Sequence, residues 1–225
     1  MRDQLRDTFD KIDWSRERAP RSGVGSTLKN TARLRNALPR VFETYNVTTF
    51  FDAPCGDWFW MREVDLSGIK YIGADIAPSI VEANVSEYGD RSGVSFEVVD
   101  ITSDPLPKAD MMLCRDCLFH LKFWLRWKFF ENFAASEIPY LMLTMHHVPE
   151  NKRLTENGGF RPFNPTKAPF NLPAPLELIP ETMDTFPADI ETNPELQRKK
   201  HRSVAVWSQE QVQEALDNRE TQKES

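Results

Sequence analysis

Three aspartates in the first half of the sequence, Asp52, Asp75 and Asp100, each follow a stretch rich in β-branched and aromatic residues. Such stretches predict buried strands. Open α/β sheets bind ligands at the carboxyl ends of their strands, so we expect the three acids to meet at one edge. An acid about twenty residues beyond the first strand can accept the hydroxyls of a ribose. Each Asp alone could instead cap a helix or begin a turn, but the series favours a binding site.

A short loop follows the first of these acids. Pro54 and Gly56 interrupt the strand pattern, and the stretch from Trp58 to Val64 is predicted to be a short helix. Gly56 has no Cβ, which lets the backbone approach a ligand closely. A strand, a tight loop and a helix in this order form the usual nucleotide-type pocket of an α/β sheet.

Polar side chains also follow the fourth and fifth predicted strands. Arg115, Asp116 and His120 follow the fourth, and His146 and His147 end the fifth. Asp116 and His120 are four residues apart, so on a helix Asp116 could orient the imidazole ring. Because neighbouring strand residues point to opposite faces, at least one of the two adjacent histidines should face the pocket. These side chains are candidates for general-base chemistry.

Cys114 and Cys117 form a C-x-x-C pair, which His120 and Cys55 could extend into a zinc site or which could act as a redox pair. No second ligand pair stands at zinc-finger spacing. Cysteines at strand ends are commonly buried as small hydrophobic residues. We therefore predict no metal.

The elements that position these residues alternate between strand and helix, which predicts an α/β fold with a doubly wound, mostly parallel sheet. The predicted strands are 47–51, 70–74, 94–99, 109–114, 140–145, 176–179 and 203–207, and the predicted helices are 28–38 (ended by Pro39), 58–64, 78–88, 118–136 and 209–216.

The length and composition favour one domain over residues 1–225, with an N-terminal helical segment at 1–46 and a proline-rich lid loop at 148–180. The net charge of −6 disfavours a nucleic-acid footprint. No apolar run approaches the roughly 18 residues that span a bilayer, and Met1–Arg6 lacks an apolar signal core. Three cysteines fit a reducing compartment. We expect a cytoplasmic protein.

The sequence resembles the class I S-adenosylmethionine-dependent methyltransferases over roughly Gly23 to Trp207. Residues 52–58 (DAPCGDW) are similar to the first motif of this family, 73–76 (GADI) to the second, 100–101 (DI) to the third and 110–116 (DMMLCRD) to the fourth strand. The DAPCGD and CRDCLFHL stretches, together with 161–164 and 169–173, resemble a little-characterised, mainly bacterial subgroup.

The resemblance implies a Rossmann-like methyltransferase fold that ends in an antiparallel hairpin, and S-adenosylmethionine as cofactor. It implies that Asp75 holds the ribose hydroxyls and that Asp100 accepts a hydrogen bond from the adenine amino group. The residues that it places at the cofactor are Asp52, Ala53, Cys55, Gly56, Asp57, Trp58, Asp75, Ile76, Asp100, Ile101, Cys114 and Arg115, with Ile101 beside the adenine and Asp52, Cys55 and Gly56 at the methionine end.

The acceptor side is then formed by Arg115, Asp116, His120 and His146. We expect a small polar acceptor, methylated on oxygen or nitrogen, with a sugar, a glycan precursor or a phosphorylated metabolite suggested by the subgroup. The Gly/Ser loop at 22–27 either caps the following helix or covers the carboxylate end of the cofactor. The basic run 198–202 either forms a solvated turn or contacts an acidic acceptor.

Two other functions stay open at this point. A nicotinamide-dependent oxidoreductase would share the acid after the second strand, but its G-x-G-x-x-G loop is missing. A methyltransferase-like binding protein without catalytic activity is the second. Pro54 and Trp58 stand where the family usually has glycines, which supports this alternative, whereas the three strand-end acids speak against it.

Overall fold

The computed structural model describes residues 2–12, 20–182 and 201–224. They form a seven-stranded sheet with the order β3-β2-β1-β4-β5-β7-β6. The strands are β1 Thr49–Asp52, β2 Lys70–Asp75, β3 Val94–Val98, β4 Met111–Cys114, β5 Tyr140–His146, β6 Glu177–Thr182 and β7 His201–Ser208. The helices are α1 Arg2–Lys11, α2 Leu28–Thr44, α3 Pro78–Tyr88, α4 Phe123–Ala135 and α5 Gln209–Glu224.

The first five strands run parallel, and β7 pairs antiparallel with both β5 and β6. The chain crosses from β3 over β2 and β1 to start β4, so the strand order reverses between β1 and β4. In open α/β sheets the crevice at such a reversal is where ligands bind. The predicted fold class, with its antiparallel C-terminal pair, is confirmed.

Two hydrophobic clusters hold helices against the two faces of the sheet. One joins α4 and α5 to the face that carries Phe51 and Trp207. The other joins α2 to the face that carries Phe50 and Val206. Alternate residues of β1 and β7 thus enter different clusters, as the twofold period of a strand requires. This packing fixes the carboxyl ends of the central strands.

Several predicted helix boundaries are wrong. The helix predicted for residues 58–64 is a 3₁₀ turn at Met61–Glu63. The helix predicted to stop at Pro39 continues as α2 to Thr44, with Pro39 inside it. The predicted helix 118–136 is divided into a 3₁₀ turn at Leu118–His120 and α4. Within the predicted N-terminal helical segment 1–46, the structure describes α1 and α2, and residues 13–19 lie outside the described residues.

The proline-rich stretch after β5 is ordered by its aromatic residues. Phe163 and Phe170 are fully buried, with their ring centroids 5.0 Å apart. Asn151 accepts a hydrogen bond from the Asn164 amide and donates to the carbonyl of Lys167. These contacts hold residues 148–176 on the sheet without a regular helix or strand.

Candidate functional site

A cavity of about 940 Å³ lies over the carboxyl ends of β1, β2, β3 and β4. All three acids of the strand-end series, Asp52, Asp75 and Asp100, line it. This volume is in the range of small-molecule and cofactor sites. The sheet topology therefore brings together residues that are up to 48 positions apart in the sequence.

Asp52, at the end of β1, is buried and lines the cavity. Its Oδ2 accepts a hydrogen bond of 2.7 Å from the hydroxyl of Tyr71. Burial raises the pKa of Asp52 to about 7, and the Tyr71 hydroxyl and the Arg115 charge offset this only in part. A carboxyl in this state changes its charge near neutral pH, so its ionisation responds to a charged ligand.

The other two acids also stabilise the turns that follow their strands. Asp75 accepts hydrogen bonds from the amides of Ala77 at 3.0 Å and Gly56 at 3.3 Å. Burial raises its pKa to about 6. Asp100 Oδ1 accepts hydrogen bonds from the amide and the hydroxyl of Thr102. Asp75 and Asp100 therefore do stabilise turns, as the alternative interpretation of the sequence expected. Both residues also line the cavity.

The loop after β1 packs tightly against the segment before α2. Gly56 has a φ of 55°, and a Cβ at this position would lie 2.8 Å from the Cβ of Ser22. The hydroxyl of Ser22 donates to Asp57 at 2.6 Å, and the side-chain amide of Asn84 donates to the Gly56 carbonyl at 2.7 Å. Residues 21–26 therefore close one side of the cavity, and Thr27 caps α2 by accepting from the Asn30 amide.

Three of the predicted cofactor residues are not among those that line the cavity: Asp57, Trp58 and Cys114. Asp57 binds Ser22 behind the loop. Trp58 has a φ of 54° and turns into a cluster with Tyr71, Tyr88 and Phe96, at centroid distances of 4.9 to 5.5 Å. The Trp58 side chain, at a position where the resembled family usually has a glycine, therefore packs in the hydrophobic core.

Four charged residues form a network at the far end of the cavity. Arg115 donates to Glu181 through Nε at 2.9 Å and to the Gly25 carbonyl at 2.7 Å. Arg202 Nη1 contacts both carboxylate oxygens of Asp116, at 2.8 and 2.9 Å. Arg202 Nη2 pairs with Glu181 at 3.0 Å. Two positive and two negative charges thus balance in a site from which water is largely excluded.

Asp116 is held in an unusual backbone conformation by this network. Its φ is 55°, in the left-handed region that non-glycine residues rarely adopt. Its amide donates to the Thr144 hydroxyl at 2.9 Å, and that hydroxyl donates back to the carboxylate at 3.2 Å. Burial would raise the pKa of Asp116, but the charges of Arg115 and Arg202 outweigh it and hold the pKa below its usual value. Asp116 is therefore a permanent hydrogen-bond acceptor and a weak base.

The two predicted catalytic histidines both line the cavity but have different partners. His120 Nδ1 lies 2.6 Å from the Gly159 carbonyl. A carbonyl only accepts, so Nδ1 carries a proton, and in the neutral ring Nε2 holds the lone pair. His146 Nδ1 accepts from the Phe163 amide at 3.3 Å. The predicted orientation of His120 by Asp116 is wrong, because Asp116 pairs with arginines and the Gly159 carbonyl orients the ring. His147 is exposed and bonded to Ser203.

The residues that the structure brings to the cavity include most of those predicted from the sequence: Asp52, Ala53, Cys55, Gly56, Asp75, Ile76, Asp100, Ile101, Arg115, Asp116, His120 and His146. Sequence reasoning missed Trp60 and Arg202 at the cavity and Glu181 behind it. Arg202 stands in the basic run 198–202, for which a solvated turn and a contact to an acidic acceptor were the two interpretations. It is instead 4% exposed on β7, and the residues 198–200 lie outside the described part of the chain.

Within residues 2–12, 20–182 and 201–224, no group of three or more His, Cys, Asp or Glu side chains is arranged to hold a metal ion. No helix in the same ranges is long and apolar enough to cross a membrane. Cys55 and Cys114 are buried, and burial raises the pKa of both thiols.

Comparison with solved structures relates this fold to methyltransferases. Magnesium protoporphyrin IX methyltransferase from Synechocystis PCC 6803, with bound S-adenosylhomocysteine, is similar with a TM-score of 0.56 at 13% identity, over 92% of this chain and 99% of that one. The 1,6-didemethyltoxoflavin-N1-methyltransferase of Burkholderia thailandensis, also with S-adenosylhomocysteine, has a TM-score of 0.56 at 15% identity, over 80% and 79%. An N-methyltransferase of Bradyrhizobium japonicum WM9 has a TM-score of 0.55 at 11% identity, over 80% and 96%.

No protein-family model matches the sequence, and no curated protein matches it. At these low identities the structural likeness establishes the fold, which is the Rossmann-like fold of the class I methyltransferases.

Proposed function

We propose that this protein is an S-adenosylmethionine-dependent methyltransferase that acts on a small polar acceptor. The observation that carries the proposal is the convergence of Asp52, Asp75 and Asp100 in one cavity, at the point where the strand order reverses. Similar folds that bind S-adenosylhomocysteine support the same cofactor here.

The residues of the cavity fit the parts of this cofactor. Asp75, at the end of β2, keeps lone pairs beyond its backbone contacts and is our candidate for the ribose hydroxyls. Asp100 and Ile101 would hold the adenine, the first through its carboxylate and the second through apolar contact. Ala53 and Ile76 would complete this half of the site, and Cys55 and Gly56 would line the methionine end with Asp52.

Asp52 is our candidate for the methionine end of the cofactor, and it lines the cavity. Asp10, on α1, accepts a hydrogen bond from Ser79 and lies on the Asp75 side of the cavity. A carboxylate near a sulfonium and an ammonium group stabilises both charges. When bound, the cofactor supplies a methyl group: the acceptor atom forms a new bond to the methyl carbon, and the electron pair of the broken carbon–sulfur bond stays on sulfur.

The protein's part in the reaction is then to position the acceptor and to receive a proton. His120 is our candidate base, because its Nδ1–H is fixed on the Gly159 carbonyl and its Nε2 holds the lone pair of the neutral ring. A proton taken from a hydroxyl or an amine would rest on this nitrogen before its release to water. Arg115 and Asp116 would shape the acceptor side.

Calorimetric titration of the purified protein with S-adenosylmethionine and, separately, with NADH tests the proposal. We expect binding of S-adenosylmethionine and no binding of NADH. Binding of NADH alone would favour an oxidoreductase, although the loop after β1 lacks the glycines that a dinucleotide needs. Binding of neither would favour a protein that keeps the fold and has lost the cofactor.

A further inference from the structure

His146 is placed as a hydrogen-bond donor toward the cavity. It is 1% exposed, lines the cavity from the end of β5, and accepts the Phe163 amide at Nδ1. With Nδ1 occupied as an acceptor, a neutral ring carries its proton on Nε2. Burial lowers the pKa of His146 to about 3, with a further lowering by Arg202 and His120 that Asp116 only partly opposes. The ring is therefore neutral and does not act as a base.

Asp116 gives the same part of the cavity a fixed acceptor. Its carboxylate is about one fifth exposed and stays ionised because Arg115 and Arg202 surround it. A donor on His146 and an acceptor on Asp116 together match a hydroxyl group, whose oxygen accepts one hydrogen bond and donates another.

The rings around His146 favour a flat ligand. Phe119, His120, His146 and Phe160 all line the cavity. Their centroids are 4.4 to 6.1 Å apart, so they form one continuous wall of aromatic rings. Aromatic ligands pack on such a wall in edge-to-face or offset contacts.

The charges beside this wall disfavour an acid group on the ligand. Arg115 and Arg202 are already paired with Asp116 and Glu181, so these four residues leave no net positive charge. A phosphate or carboxylate placed here would be desolvated next to Asp116 without a countercharge.

From these contacts we infer that the acceptor is an uncharged aromatic hydroxyl compound. His146 Nε2–H donates to the oxygen of one hydroxyl and Asp116 accepts from that hydroxyl, while the neighbouring group that is methylated gives its proton to His120. The inference rests on the proposed function, since it names the acceptor of that same site. The inference narrows the expected acceptors from small polar molecules to aromatic hydroxyl compounds, and it excludes phosphorylated acceptors.

Two variants of His146 separate its ligand contact from its structural role. His146→Asn keeps an acceptor atom near the position of Nδ1 for the Phe163 amide and loses the donor at Nε2. His146→Gln places an amide donor near Nε2 and loses the acceptor at Nδ1. A ligand contact predicts tighter catechol binding by the Gln variant than by the Asn variant, whereas a purely structural role predicts the reverse order.

The measurement is a calorimetric titration with catechol, and with benzoate as the acid-bearing probe, on protein saturated with S-adenosylhomocysteine. We expect catechol to bind the wild type at least tenfold more tightly than benzoate does, and His146→Asn to lose at least tenfold in catechol affinity. Tighter binding of benzoate, no binding of catechol, or equal binding by both variants would overturn the inference. Failure of S-adenosylhomocysteine itself to bind would instead overturn the proposed function.

Discussion

Arg202 and Asp116 are separated by 86 positions in the sequence, yet Arg202 Nη1 contacts both carboxylate oxygens of Asp116 at 2.8 and 2.9 Å. The contact joins β7 to the turn after β4. It fixes the carboxylate in the cavity, and it holds Asp116 in a backbone conformation with a φ of 55°. This ion pair therefore ties β7 to the cavity, and the acceptor site that we propose depends on it.

Removal of one partner should be strongly destabilising. We expect Arg202→Gln to lower the free energy of unfolding by about 3–5 kcal/mol, because it leaves the two carboxylates of Asp116 and Glu181 with Arg115 as the single positive charge of the network. Urea denaturation measures this loss. Asp116→Asn introduced into the same background should recover part of it, because one uncompensated charge is removed. The control is Lys108→Gln, which breaks an exposed pair with Glu137 and should leave the stability unchanged.

Gly25 should not tolerate a side chain. A Cβ at Gly25 would lie 2.6 Å from Oδ2 of Asp116. Gly25→Ala should therefore displace either the loop or the carboxylate and cost about 1–3 kcal/mol of stability. In an Asp116→Ala background the opposing oxygen is absent, so the same substitution should cost less. Equal costs in both backgrounds, measured by urea denaturation, would show that the close contact is not the cause.

The buried carboxyl of Asp52 predicts a pH dependence of stability. Its pKa of about 7 in the folded state lies above the unfolded value of about 3.9. Between these values the folded state holds a proton that the unfolded state has lost, so the unfolding free energy falls as the pH rises through this window. Asp75, with a pKa of about 6, contributes with the same sign.

Asp52→Asn should remove the part of this pH-dependent loss of unfolding free energy that Asp52 causes. The stability of the variant relative to the wild type should rise by a few kcal/mol between pH 5 and pH 8, as measured by urea denaturation without ligand. Asp65→Asn is the control: hydrogen bonds from Ser67 lower the pKa of Asp65, so this carboxyl stays ionised from pH 5 to pH 8 and the relative stability of the variant should not change. A relative stability of Asp52→Asn that is the same at both pH values would contradict a raised pKa.

The strand-end acids were predictable because they depend on local rules. A parallel strand places its last residue at the binding edge, and the three acids follow three consecutive strands. The residues that escaped prediction depend on distant packing. Trp58 was expected in a helix, but its ring leaves the loop to contact Tyr71 and Phe96, which no local pattern encodes.

Other errors have the same origin. Pro39 was expected to end α2, but the helix continues because Leu38, Val41 and Phe42 pack into the core on both sides of the proline. Leu121 and Lys122 divide the predicted helix 118–136, since the Lys122 amide donates to Asn157. The inward position of Arg202 was not predicted, because only the pairing of β7 with β6 brings it to Glu181.

The central claim is that Asp75 holds the ribose of S-adenosylmethionine, and the most direct test is the affinity for that molecule in Asp75→Asn. The substitution keeps one oxygen for a backbone amide and removes the charge. We expect the dissociation constant from calorimetry to rise by about 10- to 100-fold, the loss typical of a charge-assisted hydrogen bond. The exposed Asp65→Asn serves as control and should bind as the wild type does. An unchanged affinity in Asp75→Asn would contradict the account.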